Sequence, residues 1–293
     1  MRPATLTIFY VVGTVLLGGL LAYPLYLLNV SLSFGFAFEK VLSRSVILAA
    51  LVMLVPFLRG LELTAADLGY QRPWRRPLSR GWMVGVALML PPIAFFFYVG
   101  FRVLDARVET MSFDFAGFCM VAVLSGLVVG LIEETVFRGM LLQSFARSLN
   151  FWAATIITSL LYASVHFVEP AAAPVEMSWV SGFRAITESV TPLGAPAEYW
   201  DSFLSLFLLG VGFCWVRRRT GSLWWCIGLH AAFVTVIRVL KELTIRDEVN
   251  PYVFLVGTYD HFVGYLTTLW LLLIGVVIYA AGRTSPKIDT RSP

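Results

Sequence analysis

The chain has 293 residues, of which 58% are hydrophobic and only 14% are charged. A soluble domain carries about 25% charged residues, so this composition excludes a soluble globular protein. The formal net charge of +4 comes from basic residues clustered beside apolar segments, which indicates contact with anionic lipids and argues against nucleic-acid binding.

Eight apolar runs follow one another along the chain, and most are long enough to cross a hydrocarbon core, which needs roughly 20 residues. They cover residues 7–29, 34–58, 81–104, 113–137, 151–168, 201–216, 222–240 and 262–281. No small-residue cleavage site follows the first run, which predicts a retained span and not a signal peptide. The predicted fold is therefore all-α: a polytopic membrane protein with about eight transmembrane helices. Residues 1–282 are expected to form one transmembrane domain, and the polar segment 283–293 a disordered cytoplasmic tail.

Basic residues cluster at alternate ends of these runs. If the N-terminus is cytoplasmic, most of the 22 lysines and arginines fall on the same side, namely Arg2, Arg59, Arg72, Arg75, Arg76, Arg80, Arg138, Arg147, Arg217, Arg218, Arg219, Arg283, Lys287 and Arg291. Cytoplasmic loops of membrane proteins carry this excess of positive charge. We therefore predict a plasma or inner membrane protein with both termini in the cytoplasm.

The region 168–200 interrupts the apolar pattern with four prolines and the aromatic residues Trp179, Phe183 and Trp200. Aromatic side chains of this kind are typical of membrane interfaces. We predict an ordered loop or interfacial segment on the non-cytoplasmic side.

Two adjacent glutamates lie near the end of the fourth run, and an ionisable residue within a span is a candidate functional residue because its burial is costly. Glu133 shares a helix face with Gly126 and Gly130, a pair that lets another helix approach closely. Glu134 is turned about 100° away, and Arg138 lies four residues beyond it. We predict that Glu133 is the reactive base and that Glu134 and Arg138 support it.

The fifth run carries a polar stripe. Thr155, Ser159, Tyr162 and His166 recur at helical spacing on an otherwise apolar segment. Such a stripe is typical of a helix wall that faces a wet cavity.

Two of the chain's three histidines lie within spans. His166 ends the stripe of the fifth run, and His230 lies in the seventh run. His261, at the mouth of the last span, is expected to be interfacial and solvated. Glu133, His166 and His230 thus form a predicted catalytic constellation on three different spans.

Three motifs lie on these spans in chain order: Glu133-Glu134-x-x-x-Arg138, Tyr162-x-x-x-His166, and His230. Together they resemble the CAAX-processing and bacteriocin-processing family, that is, the membrane-embedded type II CAAX prenyl endopeptidases and their bacterial relatives. The first motif, with Gly139 after it, matches in full. Tyr162 stands where the family usually has phenylalanine, and Val234 stands where it commonly has asparagine or another polar residue. The resemblance covers roughly residues 115–240.

The resemblance implies a glutamate-dependent intramembrane protease that acts on a membrane-associated protein or peptide. No cofactor is predicted, and zinc is not favoured. By motif position, Glu133 would deprotonate a water with help from His166, and His230 would stabilise the oxyanion. Glu134 and Arg138 would hold the fourth helix in place. Val234 removes one expected oxyanion donor, a loss that typically costs about 10²–10³ in rate.

Two alternatives stay open, and the first of them uses the same residues. Glu133, His166 and His230 are a legitimate ligand set for a catalytic zinc with one open position, although no HExxH spacing supports it. A non-catalytic protein of the same fold, which binds a peptide, confers self-immunity or scaffolds other membrane proteins, is the second, and Val234 favours it slightly.

Overall fold

The computed structural model describes residues 3–106, 113–168, 176–189 and 196–284. These ranges are almost entirely helical, which confirms the predicted all-α membrane fold. Their α-helices are α1 (Pro3–Ser31), α2 (Phe38–Gly60), α3 (Arg75–Tyr98), α4 (Phe113–Glu134), α5 (Leu142–Ala146), α6 (Phe151–Val165), α7 (Ser181–Ser189), α8 (Pro196–Thr220), α9 (Leu223–Leu243) and α10 (Tyr265–Thr284). A π-helical segment, Thr135–Leu141, joins α4 to α5. One turn of 3-10 helix, Val253–Leu255, precedes α10.

All eight predicted runs coincide with apolar helices. Six helices in the described part of the chain are long and apolar enough to cross a membrane, and two shorter ones cover Phe151–Val165 and Tyr265–Ala280. The run at 201–216, the shortest in the sequence, belongs to a 22-residue apolar helix, Tyr199–Thr220. The prediction that the chain crosses the membrane several times is confirmed.

The third run was predicted to reach residue 104, but its helix ends at Tyr98. Gly100 adopts the left-handed conformation (φ +70°), which is favourable for glycine and ends the helix. The chain then enters β1 (Arg102–Leu104), which pairs antiparallel with β2 (Thr244–Arg246) beyond the end of α9. This short sheet joins the far ends of α3 and α9.

The region 168–200 contains a helix as well as loops. Its residues 169–175 and 190–195 lie outside the described ranges, as do residues 285–293 of the predicted tail. Between them, α7 packs against α1 so closely that a Cβ atom on Gly182 would lie 2.2 Å from the carbonyl oxygen of Gly19. The predicted tail begins too early, since residues 283 and 284 still belong to α10.

The loop between α2 and α3 gathers the arginine-bearing helix ends at one end of the bundle. Arg147, which follows α5, donates a hydrogen bond to the carbonyl of Leu61. Arg217, near the end of α8, donates to the carbonyl of Asp67 at 3.0 Å. These contacts show that the basic clusters share one end of the bundle, as the charge pattern requires; the side of the membrane that they face stays a prediction.

Gly69 makes the contact of this loop with α8 and α9 possible. Its φ of +93° favours glycine, and a Cβ atom there would lie 2.7–2.9 Å from the guanidinium of Arg217. Its carbonyl accepts a hydrogen bond from the amide of Leu223 at 2.9 Å, at the start of α9. The loop thus fixes where α9 begins.

Two glycines of α4 let α9 approach it closely. A Cβ atom on Gly126 would lie 2.6 Å from the carbonyl oxygen of Ala231, and one on Gly130 would lie 3.1 Å from the carbonyl oxygen of Ile227. Small residues at such spacing allow the backbones of two membrane helices to meet. The close helix contact predicted from this pair is present, and α9 is the partner.

A second glycine pair, which the sequence analysis did not identify, packs α3 against α9. A Cβ atom on Gly81 would lie 2.4 Å from the carbonyl oxygen of Trp225, and one on Gly85 would lie 2.7 Å from Cβ of Ala232. Helix α9 is therefore held between α3 and α4 by two small-xxx-small contacts.

Helix α10 is joined to α3 by a hydrogen bond that depends on a proline. Pro92 has no N–H to donate to the carbonyl of Leu88, four residues earlier in α3. Trp270 of α10 donates its indole N–H to that carbonyl at 2.9 Å. The backbone acceptor freed by the proline is thus satisfied by a neighbouring helix.

The shared end of the bundle makes the membrane orientation testable. In a background without native cysteines, Arg76→Cys and Arg218→Cys should resist an impermeant maleimide added to intact cells, because both lie at the basic end. Val249→Cys is the matched control, since this side chain is 91% exposed and follows the opposite end of α9. Strong labelling of the first two variants and none of the third would reverse the orientation.

The close contact of α4 and α9 predicts a position-dependent effect of adding one methyl group. Gly126→Ala should lower the thermal denaturation midpoint of the purified protein, because the new Cβ would overlap backbone of α9; overpacking typically costs about 1–3 kcal/mol. Gly117→Ala, on the same helix with nothing within 4 Å of its Cβ position, should be neutral or slightly stabilising. Equal midpoints for the two variants would contradict this packing.

Candidate active site

The predicted site residues converge at the middle of the bundle. Glu133 and Glu134 end α4, and Arg138 lies in the π-helical segment that follows. Tyr162 lies in the last turn of α6, His166 caps the C-terminus of that helix, and His230 lies in the second turn of α9.

Glu133 lies between the two predicted catalytic histidines. Its Oε2 atom is 4.0 Å from Nε2 of His166 and 3.8 Å from Nε2 of His230. The side chains of Glu133 and His166 are 28% and 19% exposed, whereas that of His230 is 7% exposed. The structure therefore brings the three residues together; their catalytic roles stay a prediction.

The two histidines meet although they lie at different distances from the ends of their helices. At 1.5 Å per residue, His166 is about 22 Å from the start of α6, and His230 is about 10 Å from the start of α9. The fourth apolar helix continues beyond Glu133 to Ala146, roughly 18–20 Å further. Because this extension carries the turn before α6 outward, α6 starts further from the centre of the bundle than α9 does.

His166 is oriented by the backbone of its own helix. Its Nδ1 atom is 2.7 Å from the carbonyl oxygen of Tyr162. A carbonyl oxygen can only accept, so Nδ1 carries the proton and the neutral ring has its lone pair on Nε2. This lone pair faces Glu133.

His230 is oriented by Glu134, a contact that the sequence analysis did not predict. Nδ1 of His230 is 2.8 Å from Oε1 of Glu134, and the ring stacks on Phe213 with a centroid distance of 5.6 Å. Sequence spacing relates Glu134 to Arg138 but not to a residue on another helix. The contact becomes visible only once α9 is placed against α4.

Glu134 and Arg138 form a buried ion pair. Nη1 of Arg138 donates to Oε1 of Glu134 at 3.0 Å, and both side chains are 0% exposed. The guanidinium also lies over the rings of Tyr162, at 4.2 Å, and Phe213, at 4.7 Å. The expectation that Glu133 lies on the more closely packed face is wrong: Glu134 is the buried carboxylate, and Glu133 is partly accessible.

Arg138 is fully buried in the π-helical segment, and so are its neighbours along the chain. Residues 137–142 are all buried, which one face of a regular α-helix does not produce. Widened turns of this kind often occur at functional sites. The sequence carries no clear signal for the segment, which follows Glu134 directly.

The polar stripe of α6 only partly faces a cavity. Tyr162 and His166 line one, as predicted, but Thr155 and Ser159 are buried within the bundle. A Cβ atom on Gly210 of α8 would lie 2.9 Å from Cβ of Ser159, so α8 covers this part of the stripe. The prediction of a wet wall along the whole helix is therefore wrong.

A cavity of about 290 Å³ adjoins the histidines. His166, His230 and Tyr162 line it; Glu133 is not among the lining residues, but its Oε2 atom lies within 4.0 Å of Nε2 of both imidazoles. The remaining walls are mostly apolar and come from α3, α8, α9, α10 and the loop before α10. Val234 lies on the wall, so an apolar side chain occupies the position where the third motif is expected to offer a polar group.

His261 lies away from this cluster. It is partly buried in the loop before α10, with φ +60° and Nδ1 3.2 Å from the carbonyl oxygen of Gly257. Desolvation in this loop, with Arg246 nearby, lowers the pKa of His261 below its usual value of 6.5. The prediction of a solvated histidine is thus only partly correct.

The geometry gives the zinc alternative no particular support. Ligands of one tetrahedral zinc, each about 2.0–2.1 Å from the metal, lie about 3.3 Å from one another, closer than the separations around Glu133. Across the described ranges, no group of three or more His, Cys, Asp or Glu side chains is arranged to hold a metal ion.

Comparison with known proteins agrees with this site. Residues 115–236 match the family model described as type II CAAX prenyl endopeptidase, Rce1-like. No curated protein and no solved structure matches the chain. The matched segment contains every predicted site residue, and the match supports a membrane peptidase with a membrane-associated substrate. The part of this multi-pass membrane protein that carries the candidate site is therefore similar to the Rce1-like type II CAAX prenyl endopeptidases over residues 115–236.

Proposed function

We propose that this protein is an intramembrane endopeptidase that cleaves a membrane-associated protein or peptide with a glutamate-activated water. It would act in the plasma or inner membrane with both termini in the cytoplasm, and its catalytic core would span about residues 115–240. The observation that carries the proposal is the position of Glu133, whose Oε2 atom lies between two imidazole Nε2 atoms at 4.0 and 3.8 Å.

Glu133 and His166 are close enough for one water to bind both. Oε2 of Glu133 and Nε2 of His166 are 4.0 Å apart, so one water can lie about 2.8 Å from each of them, at hydrogen-bond distance. The water would donate one hydrogen bond to the carboxylate of Glu133 and a second hydrogen bond to Nε2 of His166. As its oxygen attacks the peptide carbonyl, Glu133 takes the proton and later returns it to the leaving amine.

His230 is suited to stabilise the oxyanion. With both ring nitrogens protonated, Nδ1–H donates to Glu134 and Nε2–H is left to donate to the developing negative charge. The buried cluster is then neutral overall, because Glu133 and Glu134 balance Arg138 and His230. Neutrality matters here, since an unpaired charge in a low-dielectric interior is expensive.

Val234 makes His230 the main oxyanion donor of this site. Its side chain offers no hydrogen bond four residues after His230, and removal of one oxyanion donor typically costs about 10²–10³ in rate. We propose that this enzyme is active but slower than a relative with a polar residue at that position.

The two glutamates should respond differently to the same substitution. Glu133→Gln keeps size and packing but removes the base, so cleavage of apolar fluorogenic peptides by purified protein should fall about 10²–10⁴-fold with normal expression. Glu134→Gln should lower stability, by about 3–5 kcal/mol, because it leaves Arg138 and His230 without their buried anion. Glu248→Gln, at an exposed carboxylate, is the control. A stable, inactive Glu134→Gln beside an active Glu133→Gln would reverse these assignments.

The two histidines should act as one unit. His166→Ala, His230→Ala and the double variant should show similar near-zero cleavage, because residues that serve one reaction step have strongly non-additive effects. His261→Asn, outside the cluster, should retain wild-type cleavage.

Two outcomes would redirect the proposal. Loss of cleavage on chelation, restored by zinc, would favour the metalloprotease. Absence of cleavage of any membrane-associated peptide by stable wild-type protein would favour a binding, self-immunity or scaffold protein of the same fold.

A further inference from the structure

A second pocket lies at the end of the bundle opposite the basic clusters, and we call it the distal pocket. Asp201 of α8, Arg246 of β2, Tyr265 of α10 and residues of the loop before α10 line it. Its volume of about 380 Å³ is near the lower end of the range for small-molecule sites, about 300–1,000 Å³. In the described part of the chain it shares no lining residue with the catalytic cavity, and the proposed reaction does not use it.

Asp201 brings an unpaired negative charge to the distal pocket. This residue is only 7% exposed, and its Oδ1 atom accepts hydrogen bonds from the amide and the hydroxyl of Ser202, at 2.7 and 3.3 Å. Its Oδ2 atom has no hydrogen-bond or ion-pair partner among the described residues. A Cβ atom on Gly257, which also lines the pocket, would lie 2.7 Å from Oδ2, so the glycine leaves room beside this oxygen. Because a buried carboxylate without a partner is costly, a bound cation would stabilise it.

The β1–β2 sheet brings an excess of positive charge to another wall of the pocket. Arg246 lies directly opposite Arg102 in the antiparallel pair. Arg102 is 4% exposed and donates to the hydroxyl of Thr244 at 2.9 Å, and its Nε atom has no partner within the described ranges. Arg246 pairs with Glu248 at 2.6 Å, but that carboxylate is 75% exposed, so solvent screens the pair. Like charges at opposed strand positions are unfavourable, and an anion bound at Arg246 would reduce this cost.

The chemistry of the pocket favours an organic cation as the partner of Asp201. His261 also lines the pocket, and its lowered pKa leaves the ring neutral at pH 7. No set of three His, Cys, Asp or Glu side chains in the described ranges is arranged to hold a metal ion. An ammonium group can donate hydrogen bonds to Oδ2, and the rings of Phe254 and Tyr265, which line the pocket, favour a cation nearby.

We propose that the distal pocket binds a zwitterion, whose ammonium group pairs with Asp201 and whose phosphate or carboxylate group pairs with Arg246. A guanidinium forms two parallel hydrogen bonds with either kind of anion. Two apolar helices, Tyr199–Thr220 and Tyr265–Ala280, begin beside the pocket, at the depth where lipid headgroups lie. The zwitterion is either the headgroup of an ethanolamine phospholipid or a soluble amino acid. The site is independent of the proposed peptidase reaction.

The test measures binding of small zwitterions to purified, lipid-depleted protein in an uncharged detergent by isothermal titration calorimetry. The probes are glycerophosphoethanolamine and β-alanine, and each has a twin that keeps the anion but lacks the amine, namely glycerophosphoglycerol and propionate. Wild type should bind at least one zwitterion roughly 10- to 100-fold more tightly than its twin, as expected for one charge-assisted hydrogen bond. Tighter binding of glycerophosphoethanolamine assigns the lipid headgroup, and tighter binding of β-alanine assigns a soluble amino acid; either result supports the proposal.

Variants then assign the two charges of the ligand. Asp201→Asn keeps the acceptor for Ser202 and should weaken zwitterion binding roughly 10- to 100-fold while binding of the twins is unchanged. Arg246→Gln should weaken binding of zwitterions and twins alike, because both carry the anion. Asp67→Asn, the same substitution at an exposed carboxylate near the basic end, is the matched control. The thermal denaturation midpoint of Asp201→Asn without ligand should equal or exceed that of wild type, since the substitution removes a buried unpaired charge.

Three results would overturn the proposal: no binding of either zwitterion by wild type, equal binding of each zwitterion and its twin, or unchanged zwitterion binding in folded Asp201→Asn or Arg246→Gln. None of these measurements involves cleavage, so the proposed peptidase activity stands or falls separately.

Discussion

The close approach of α9 to α4 is the contact on which the site depends. Gly126 and Gly130 remove the side chains that would keep these helices apart, and the backbone of α9 occupies that space. His230 thereby reaches both glutamates, one through each ring nitrogen. Gly81 and Gly85 of α3 pack against another side of α9, so the helix that carries His230 is held between two neighbouring helices.

The site combines a fully buried ion pair that holds its geometry with a second, less buried carboxylate that has no hydrogen-bond partner at one oxygen in the described part of the chain. Glu134 and Arg138 are entirely buried, and Glu134 fixes the ring of His230. The side chain of Glu133 is 28% exposed, but its Oε2 atom is buried and has no hydrogen-bond partner within the described residues. The buried pair keeps the ring of His230 oriented, and the proposed reaction would need Glu133, which the pair leaves without a fixed partner, to take up a proton.

Much of the fold and the membership of the site were predictable, because they follow from local patterns. The apolar runs predicted the eight apolar helices, and the i, i+4 spacing predicted the pairing of Glu134 with Arg138. The burial of Glu134 and its bond to His230 were not predictable, since both depend on where a distant helix packs. The π-helical segment was not predicted because no residue type marks such a segment. Strand β1 was not predicted because its three residues, which follow Gly100, continue the apolar run of α3.

The bond between Trp270 and Leu88 couples two distant positions of the chain. A regular residue in place of Pro92 would supply the carbonyl of Leu88 with its own helical N–H, and the indole would then compete for an acceptor that is already satisfied. Removal of the indole alone would leave a bare carbonyl beside an apolar cavity and lipid. Pro92 in one span and Trp270 in another thus form a single unit, in which the effect of replacing either residue depends on whether the other is present.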